Sequence, residues 1–252
     1  MRERVYVIVL GPLVVFTLIY FVVALHAPAA SLGTSLSPET ILAATLYTLL
    51  RLTIAYVLAI IVAVPLALAT AYNRTLEAIL LPVFDVLESI PNLAIFPVIL
   101  IFFLHFNLLD GAAVVILFLN MLWNIVFALV GGLKVIPKDI TDAAHVFGIS
   151  GFSYLRRVVL PAVFPQLVTG SILAVAEGWN LIVVAEALHA YLPEGSAAQD
   201  LFGIGTLLVS TSASGHTGQY LTAFFVMVVA IALINFFVWQ KLLRYAERFR
   251  FE

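Results

Sequence analysis

Ionisable side chains inside apolar stretches are the residues of this sequence most able to do chemistry. Arg51 lies in one such stretch, and Glu177 and Glu186 lie in another together with the amide Asn180. A charge in hydrocarbon is costly, so such residues pair with one another, reach the interface by snorkelling, or line a water-filled path. Two interpretations follow for these four residues: structural bonds, such as a pair between Arg51 and Glu177, or contacts with a solute along a path or at its gate.

A second polar group lies in a proline-rich stretch, residues 79–106. Three prolines interrupt it, among them Pro91, which Asn92 follows, and the acidic pair Asp85 and Glu88 precedes this break. Proline removes a backbone donor and bends a helix. In lipid, the freed backbone groups are tolerated only where protein or a water-filled cavity satisfies them. We therefore predict that this stretch is interior and that Pro91 and Asn92 lie at the path.

Several kinds of chemistry lack the residues they need. The chain has no cysteine, which excludes disulfides and thiolate metal sites. Its five histidines are scattered, and no two have the i, i+4 spacing of a metal-binding helix. We find no Ser/His/Asp grouping and no phosphate-binding Gly-x-x-x-x-Gly-Lys-Ser/Thr motif. The sequence therefore predicts no catalytic residue, no resident metal and no nucleotide bound by this chain.

Composition identifies the environment that positions these residues. Of the 252 residues, 63% are hydrophobic and 10% are charged, and the mean hydropathy is +1.15. A soluble domain usually has about 25% charged residues. The chain is therefore predicted to be an all-helical membrane protein, with room for about six spans of ~20 residues and for no second, soluble domain. Its basic residues are dispersed, so nucleic acid is not an expected partner.

The apolar runs define the predicted spans. They cover about residues 5–25, 41–71, 79–106, 111–133, 162–188 and 220–243, all within one membrane domain of residues 1–252. Between the last two lies a stretch rich in Gly, Ser, Thr and Ala, where the patch 201–209 is too short to span and is predicted to be a short or re-entrant helix.

The Lys and Arg residues set the predicted orientation. All of them except Arg51 fall at the two chain ends or in loops that a single threading places on one side. By the positive-inside rule that side is cytoplasmic. We therefore predict a multi-pass protein of the cytoplasmic membrane with both termini inside, and a long cytoplasmic loop at residues 134–161.

This loop carries the most informative local pattern. Pro137 is followed by polar residues that can start a helix. Ala143, Ala144 and Phe147 are predicted to share one small apolar face, and Gly148 is placed to end the helix. A second short piece, residues 152–160, is predicted to precede a span that begins at Pro161. The expected product is an exposed helix-turn-helix suited to a groove in a partner.

The same loop resembles the EAA loop of importer permeases of the ATP-binding-cassette class. That pattern is an acidic residue, two alanines, three residues, a glycine, nine residues, an aliphatic residue, any residue, then Leu-Pro. The matching positions here are Asp142, Ala143, Ala144, Gly148, Val158, Leu160 and Pro161. Asp stands where the family usually has Glu, and Val where it usually has Ile. Within the class, the segments around Arg51, Pro91 and Glu186 are similar to those of the nitrate, sulfonate, taurine and bicarbonate permeases.

The resemblance implies a fold, partners and a mechanism. The fold would be the type I importer permease fold with a cytoplasmic coupling helix, whose contact residues would be Asp142, Ala143, Ala144, Phe147, Gly148, Leu160 and Pro161. Two ATPase subunits would hold ATP and Mg, a second permease subunit would complete the path, and an extracytoplasmic binding protein would deliver a small solute, such as nitrate, a sulfonate or bicarbonate. This chain would be a transport subunit without enzymatic activity.

An alternative from another class is an ion-gradient-driven transporter or channel. It would need a charged or broken-helix ion site, and it would have no use for the 134–161 loop.

Overall fold

Eight longer helices and a short 3₁₀ helix, Leu188–Tyr191, make up most of the part of the chain that the computed structural model describes, residues 37–191 and 200–249. The longer helices are numbered in chain order. They are α1 (Pro38–Tyr72), α2 (Arg74–Ser89), α3 (Asn92–His105), α4 (Leu109–Lys134), α5 (Lys138–Val146), α6 (Gly151–Glu186), α7 (Ile204–Ala213) and α8 (Thr217–Phe249). Within these ranges there is no β-strand, so the predicted all-helical class is confirmed.

Four helices, α1, α4, α6 and α8, are long and apolar enough to cross a membrane, and the bent pair α2 and α3 raises the count to five. The predicted spans 41–71, 111–133 and 220–243 lie within α1, α4 and α8. The first predicted span, residues 5–25, lies outside the described residues. The predicted short helix at 201–209 corresponds to α7.

The stretch 79–106 is two helices instead of one continuous span. Helices α2 and α3 meet at an angle of 87°. Ile90 and Pro91, at the junction, have extended backbone angles, and α3 begins directly after Pro91. A residue before proline is pushed away from the helical region, which explains why the helix stops here and starts again.

The chain stays helical on both sides of Pro161, where the sequence predicts that a span begins. Helix α6 begins at Gly151 and runs through Pro161 to Glu186. The π turn Leu155–Val159 precedes the proline, and the N–H of Leu160 bonds to the oxygen of Leu155, five residues back. Proline has no N–H to donate to the helix. The wider turn just before Pro161 shifts the backbone bonding pattern by one residue, so the helix continues where a regular helix would bend or end.

Small residues let α4 pack between α1 and α6. Ala55, Ala59, Ala63 and Ala67 of α1 recur every fourth residue and are fully buried. On α6, a Cβ added to Gly170 would lie 2.6 Å from the Cβ of Ala128 on α4. Close packing of this kind replaces the hydrophobic effect as the source of helix association in lipid.

Two ends of this bundle matter for function. The coupling end carries α5, the end of α4 and the start of α6. The distal end carries the start of α4, the end of α6 and the start of α7.

Candidate functional site

A buried ionic cluster lies at the distal end, formed by Thr48, Arg51, Asp110 and Glu186. Arg51 Nη1 donates to Glu186 Oε1 at 2.7 Å, and Arg51 Nε donates to Asp110 Oδ1 at 2.8 Å. The side chains of Arg51 and Glu186 are 2% and 0% exposed, whereas that of Asp110 is 42% exposed. One guanidinium therefore joins α1 to the end of α6 and the start of α4.

The same cluster caps α7. Glu186 Oε1 also accepts from Thr48 Oγ1, and Glu186 Oε2 accepts from the backbone N–H of Gly205 at 2.8 Å. Thr48 Oγ1 in turn accepts from the N–H of Ile204 at 2.9 Å. The first N–H groups of a helix have no partner within it, so two side chains from other helices satisfy the start of α7.

Glycines make room for this cap. A Cβ added to Gly203 would collide with the Glu186 carboxylate, and one added to Gly205 would lie 2.8 Å from the backbone of Val183. Arg51 Nη1 also donates to the oxygen of Phe202 at 2.9 Å, which fixes the segment that leads into α7. The cluster is thus closely built and satisfied within this chain.

Two of the predicted path residues are engaged in structural bonds. Arg51 and Glu186 are buried inside the bundle and bonded to each other, which corresponds to the first of the two interpretations, and their role at a path or gate stays a prediction. The pair considered between Arg51 and Glu177 is not formed, since the partners of Arg51 are Glu186 and Asp110. Sequence reasoning missed Asp110 and Thr48. An acidic residue in the first turn of a span is the signal that could have identified Asp110.

The other predicted path residues are more open. Glu177 and Asn180 are exposed and lie on one face of α6 with Leu173, which is 53% exposed. Pro91 is exposed at the bend between α2 and α3. Asn92 is half-buried and donates from Nδ2 to Asn120 Oδ1 of α4 at 2.5 Å. A single chain thus presents a carboxylate, an amide and a broken helix on surfaces that it does not cover itself.

Helix α5 has the predicted start and the predicted stop. It begins at Lys138, directly after Pro137. Gly148 has φ +68°, and its N–H donates to the oxygen of His145 at 2.9 Å. The N–H of Ile149 reaches back to the oxygen of Ala144 at 2.9 Å. This left-handed turn at Gly148 closes the helix and reverses the chain toward α6.

The faces of α5 differ from the prediction at Ala144. Ala143 is exposed, whereas Ala144 is only 5% exposed and packs toward the bundle. Neighbours on a helix are about 100° apart, so the two alanines cannot share the outer face. Val146 and Phe147 are 85% and 79% exposed, and Phe152 at the start of α6 is 76% exposed. Asp142 is also exposed, and Leu160 and Pro161 are half-buried within α6.

No metal centre emerges from the described parts of the chain: no group of three or more His, Cys, Asp or Glu side chains there could hold an ion. The arrangement can do two things chemically. It can hold the distal end closed by buried charge, and at the coupling end it can offer a partner a short helix with the exposed apolar side chains Val146, Phe147 and Phe152 at or beyond its end.

Comparison with known proteins gives three similarities. The sequence pattern of a family described as "Binding-protein-dependent transport system inner membrane component" matches residues 55–243. The bicarbonate transport system permease protein CmpB of Synechococcus elongatus is 28% identical over 198 residues, which are 78% of this chain and 67% of that protein. The nitrate import permease protein NrtB of Leptolyngbya laminosa is 30% identical over 156 residues, or 62% of this chain and 55% of that protein.

The fold has a counterpart among solved structures. A structure of the MetNI methionine ABC transporter in inward-facing conformations superposes with a TM-score of 0.67 at 18% identity, covering 84% of this chain and 99% of the matched chain. At this identity the likeness concerns the fold alone.

Proposed function

The chain belongs to the family of binding-protein-dependent transport system inner membrane components, and from this membership we propose that it imports a small oxyanion as one permease subunit of an ATP-driven transporter. The predicted importer permease fold is confirmed by the family match and the structural similarity. The chain is a multi-pass subunit of the inner membrane. We further propose the class of solute, the partner subunits and the side of the membrane that each end of the bundle faces.

The observation that carries the proposal is the shape of the coupling end. Helix α5 has nine residues, of which only Ala144 is buried. Large apolar side chains at Val146, Phe147 and Phe152 point into solvent. Exposed aromatic residues on a short, rigid element are typical anchors for a partner groove. We assign that groove to an ATPase subunit that holds ATP and Mg, one for each of two permease subunits.

The basic residues support the proposed orientation. Lys134, Lys138, Arg156 and Arg157 all lie at the coupling end. Basic residues accumulate on the cytoplasmic side of membrane proteins, which is the side where ATP is available. With this end inside, the distal end faces outward and meets a separate binding protein that delivers the solute. The end of α8 is then cytoplasmic, and the predicted span at residues 5–25 would place the N-terminus on the same side.

The path is proposed to run along surfaces that one chain leaves uncovered. Glu177, Asn180 and the Pro91–Asn92 break are such surfaces, and a second permease subunit, identical or related, would close them into a channel. Closure of the ATPase pair would move α5, open the distal end and close the coupling end. ATP hydrolysis would reverse this change and release the solute inside.

The oxyanion class is supported by the names of two relatives, which import bicarbonate and nitrate. Sulfonates stay within the same proposal. Arg51 does not supply an open cationic site, because Glu186 and Asp110 already neutralise it. The path would therefore bind the anion weakly, through amides such as Asn180, and leave selectivity to the binding protein. Weak binding favours release, which transport requires as much as capture.

Co-purification tests the ATPase partner. Tagged wild-type chain is purified in detergent beside Asp142→Arg, which reverses an exposed charge on α5, and Glu247→Arg, a matched change at the same end of the bundle on α8. We expect an ATPase subunit with the wild type and with Glu247→Arg, and its loss with Asp142→Arg.

Transport in vesicles tests the rest. Vesicles containing the complex and its binding protein should accumulate labelled nitrate, bicarbonate or a sulfonate only when ATP is supplied. Uptake by the chain alone, without ATP and driven by an ion gradient, would overturn the proposal in favour of a gradient-driven transporter.

A further inference from the structure

Tyr154 joins three elements at the coupling end. It lies in the first turn of α6, and its hydroxyl is 3.3 Å from Thr141 Oγ1 of α5. The Tyr72 side chain, at the last residue of α1, lies close enough to Tyr154 for the two side chains to interact. The Tyr154 ring lies 6.1 Å from the His145 ring on α5, and it packs against the main hydrophobic core. One side chain of α6 therefore contacts both the coupling helix and α1.

Few other contacts hold α5 to the bundle. Ala144 is the single buried residue of this helix, and a methyl group packs without direction. The hydroxyl of Tyr154 adds a directional contact, because a hydrogen bond weakens when its donor and acceptor are misaligned. If α5 moved along its own axis, the packing of Ala144 would offer little resistance. The hydrogen bond between Thr141 and Tyr154 would transmit the movement to α6.

The position of Tyr154 in α6 adds to this. The π turn Leu155–Val159 begins at the next residue. Such turns are rare and occur often at functional sites, and they are places where a helix can bend. A force applied at Tyr154 thus enters α6 one residue before its π turn. The far end of α6 is tied to α1 through Glu186 and Arg51.

We infer that Tyr154 is a positioning residue of the transport cycle, through which movement of α5 is delivered to α1 and α6. The inference rests on the proposed function, because it takes α5 as the element that the ATPase moves. Tyr154 touches neither solute nor nucleotide in this scheme. Without the Tyr154 hydroxyl, ATP hydrolysis should continue, but fewer solute molecules should be imported for each ATP hydrolysed.

The expected effect is moderate. A distance of 3.3 Å is longer than the usual 2.5–3.0 Å between two hydroxyl oxygens. A net hydrogen bond changes an equilibrium by roughly two- to tenfold. Removing the Tyr154 hydroxyl should therefore raise the number of ATP molecules hydrolysed per solute imported by roughly that factor.

The test compares Tyr154→Phe with Tyr245→Phe in the complete transporter, reconstituted in vesicles with its binding protein. Tyr245 is a matched control: it is also half-buried at the coupling end, and its ring packs against Phe164 and Phe249. We measure ATP hydrolysis, solute uptake, co-purification of the ATPase and thermal unfolding. Only Tyr154→Phe should raise the ATP cost per solute, with co-purification and unfolding unchanged.

A second variant, Thr141→Val, removes the other hydroxyl of the Thr141–Tyr154 contact without touching the core. It should also raise the number of ATP molecules hydrolysed per solute imported. In the double variant this number should be no higher than in Tyr154→Phe alone. An unchanged ratio in both single variants, or an equal rise in Tyr245→Phe, would overturn this inference and leave the proposed function intact. Absence of an ATPase from the wild-type complex would overturn both.

Discussion

The two ends of the bundle solve opposite problems. At the distal end, Arg51 and Glu186 are buried charges whose partners all come from this chain. At the coupling end, Val146 and Phe147 are apolar side chains that are 85% and 79% exposed. A satisfied buried cluster indicates a structural role, whereas uncovered aromatic side chains indicate that a partner completes the surface.

The difference follows from what each kind of group can tolerate. A buried ion without a partner costs several kcal/mol, so the cluster must be complete before any subunit arrives. An exposed apolar side chain is common on protein surfaces and costs little by itself. Helix α5 can therefore be stable before its partner binds, whereas the ionic cluster must be complete within the folded chain.

Breaking the distal cluster should have the largest effect. Glu186→Ala leaves Arg51 and the start of α7 without their fully buried partner, so we expect a loss of about 3–5 kcal/mol in the free energy of unfolding. Glu39→Ala, at an exposed carboxylate in the first turn of α1, is the control. Equal unfolding midpoints in detergent for the two variants would contradict a structural role for the cluster.

At the end of α5 we expect a loss of partner binding without a loss of stability. Phe147→Asp should weaken co-purification of the ATPase by about thirtyfold, or about 2 kcal/mol, as for an aromatic anchor of an interface. The unfolding midpoint of the chain should not change, because Phe147 is 79% exposed. Val135→Asp places the same charge at a side chain 71% exposed at the same end but outside α5. If it weakened co-purification equally, the effect would not be specific to α5.

A smaller effect should come from the turn that ends α5. Gly148→Ala places a Cβ at φ +68°, a conformation that costs roughly 1–2 kcal/mol for other residues. The end of α5 should shift, and ATPase affinity should fall by about five- to thirtyfold. Gly131→Ala on α4, where an added Cβ meets nothing within 4 Å, is the control and should be neutral or stabilising. Equal affinities would show that the turn at Gly148 is not required.

The smallest effect is expected at the exposed arm of the distal cluster. Asp110→Asn weakens a bond to Arg51 that lies partly in solvent, with the Asp110 side chain 42% exposed. Exposed ion pairs contribute about 0–1 kcal/mol, so the unfolding midpoint should fall far less than in Glu186→Ala. A loss as large as that of Glu186→Ala would mean that both carboxylates are equally necessary to hold Arg51.

Local chemistry explains why the coupling loop could be predicted in detail. A proline can open a helix and a glycine can close it through preferences of their own backbone. Those preferences set the start of α5 after Pro137 and the turn at Gly148, and both are where the sequence places them. Apolar runs predicted α1, α4 and α8 for the same reason, since the length needed to cross a bilayer depends on the run alone.

Tertiary structure decided the partners. Arg51 pairs with residues 59 and 135 positions away in the chain, and no local pattern selects Asp110 and Glu186 over Glu177. It also decided which alanine of α5 turns inward and how α6 continues through Pro161. Hydropathy and capping act within a few residues, so the sequence alone determined the spans and the coupling loop. The pairing of buried charges depends on which helices pack together, so only the assembled bundle determined the ionic cluster and the contacts of Tyr154.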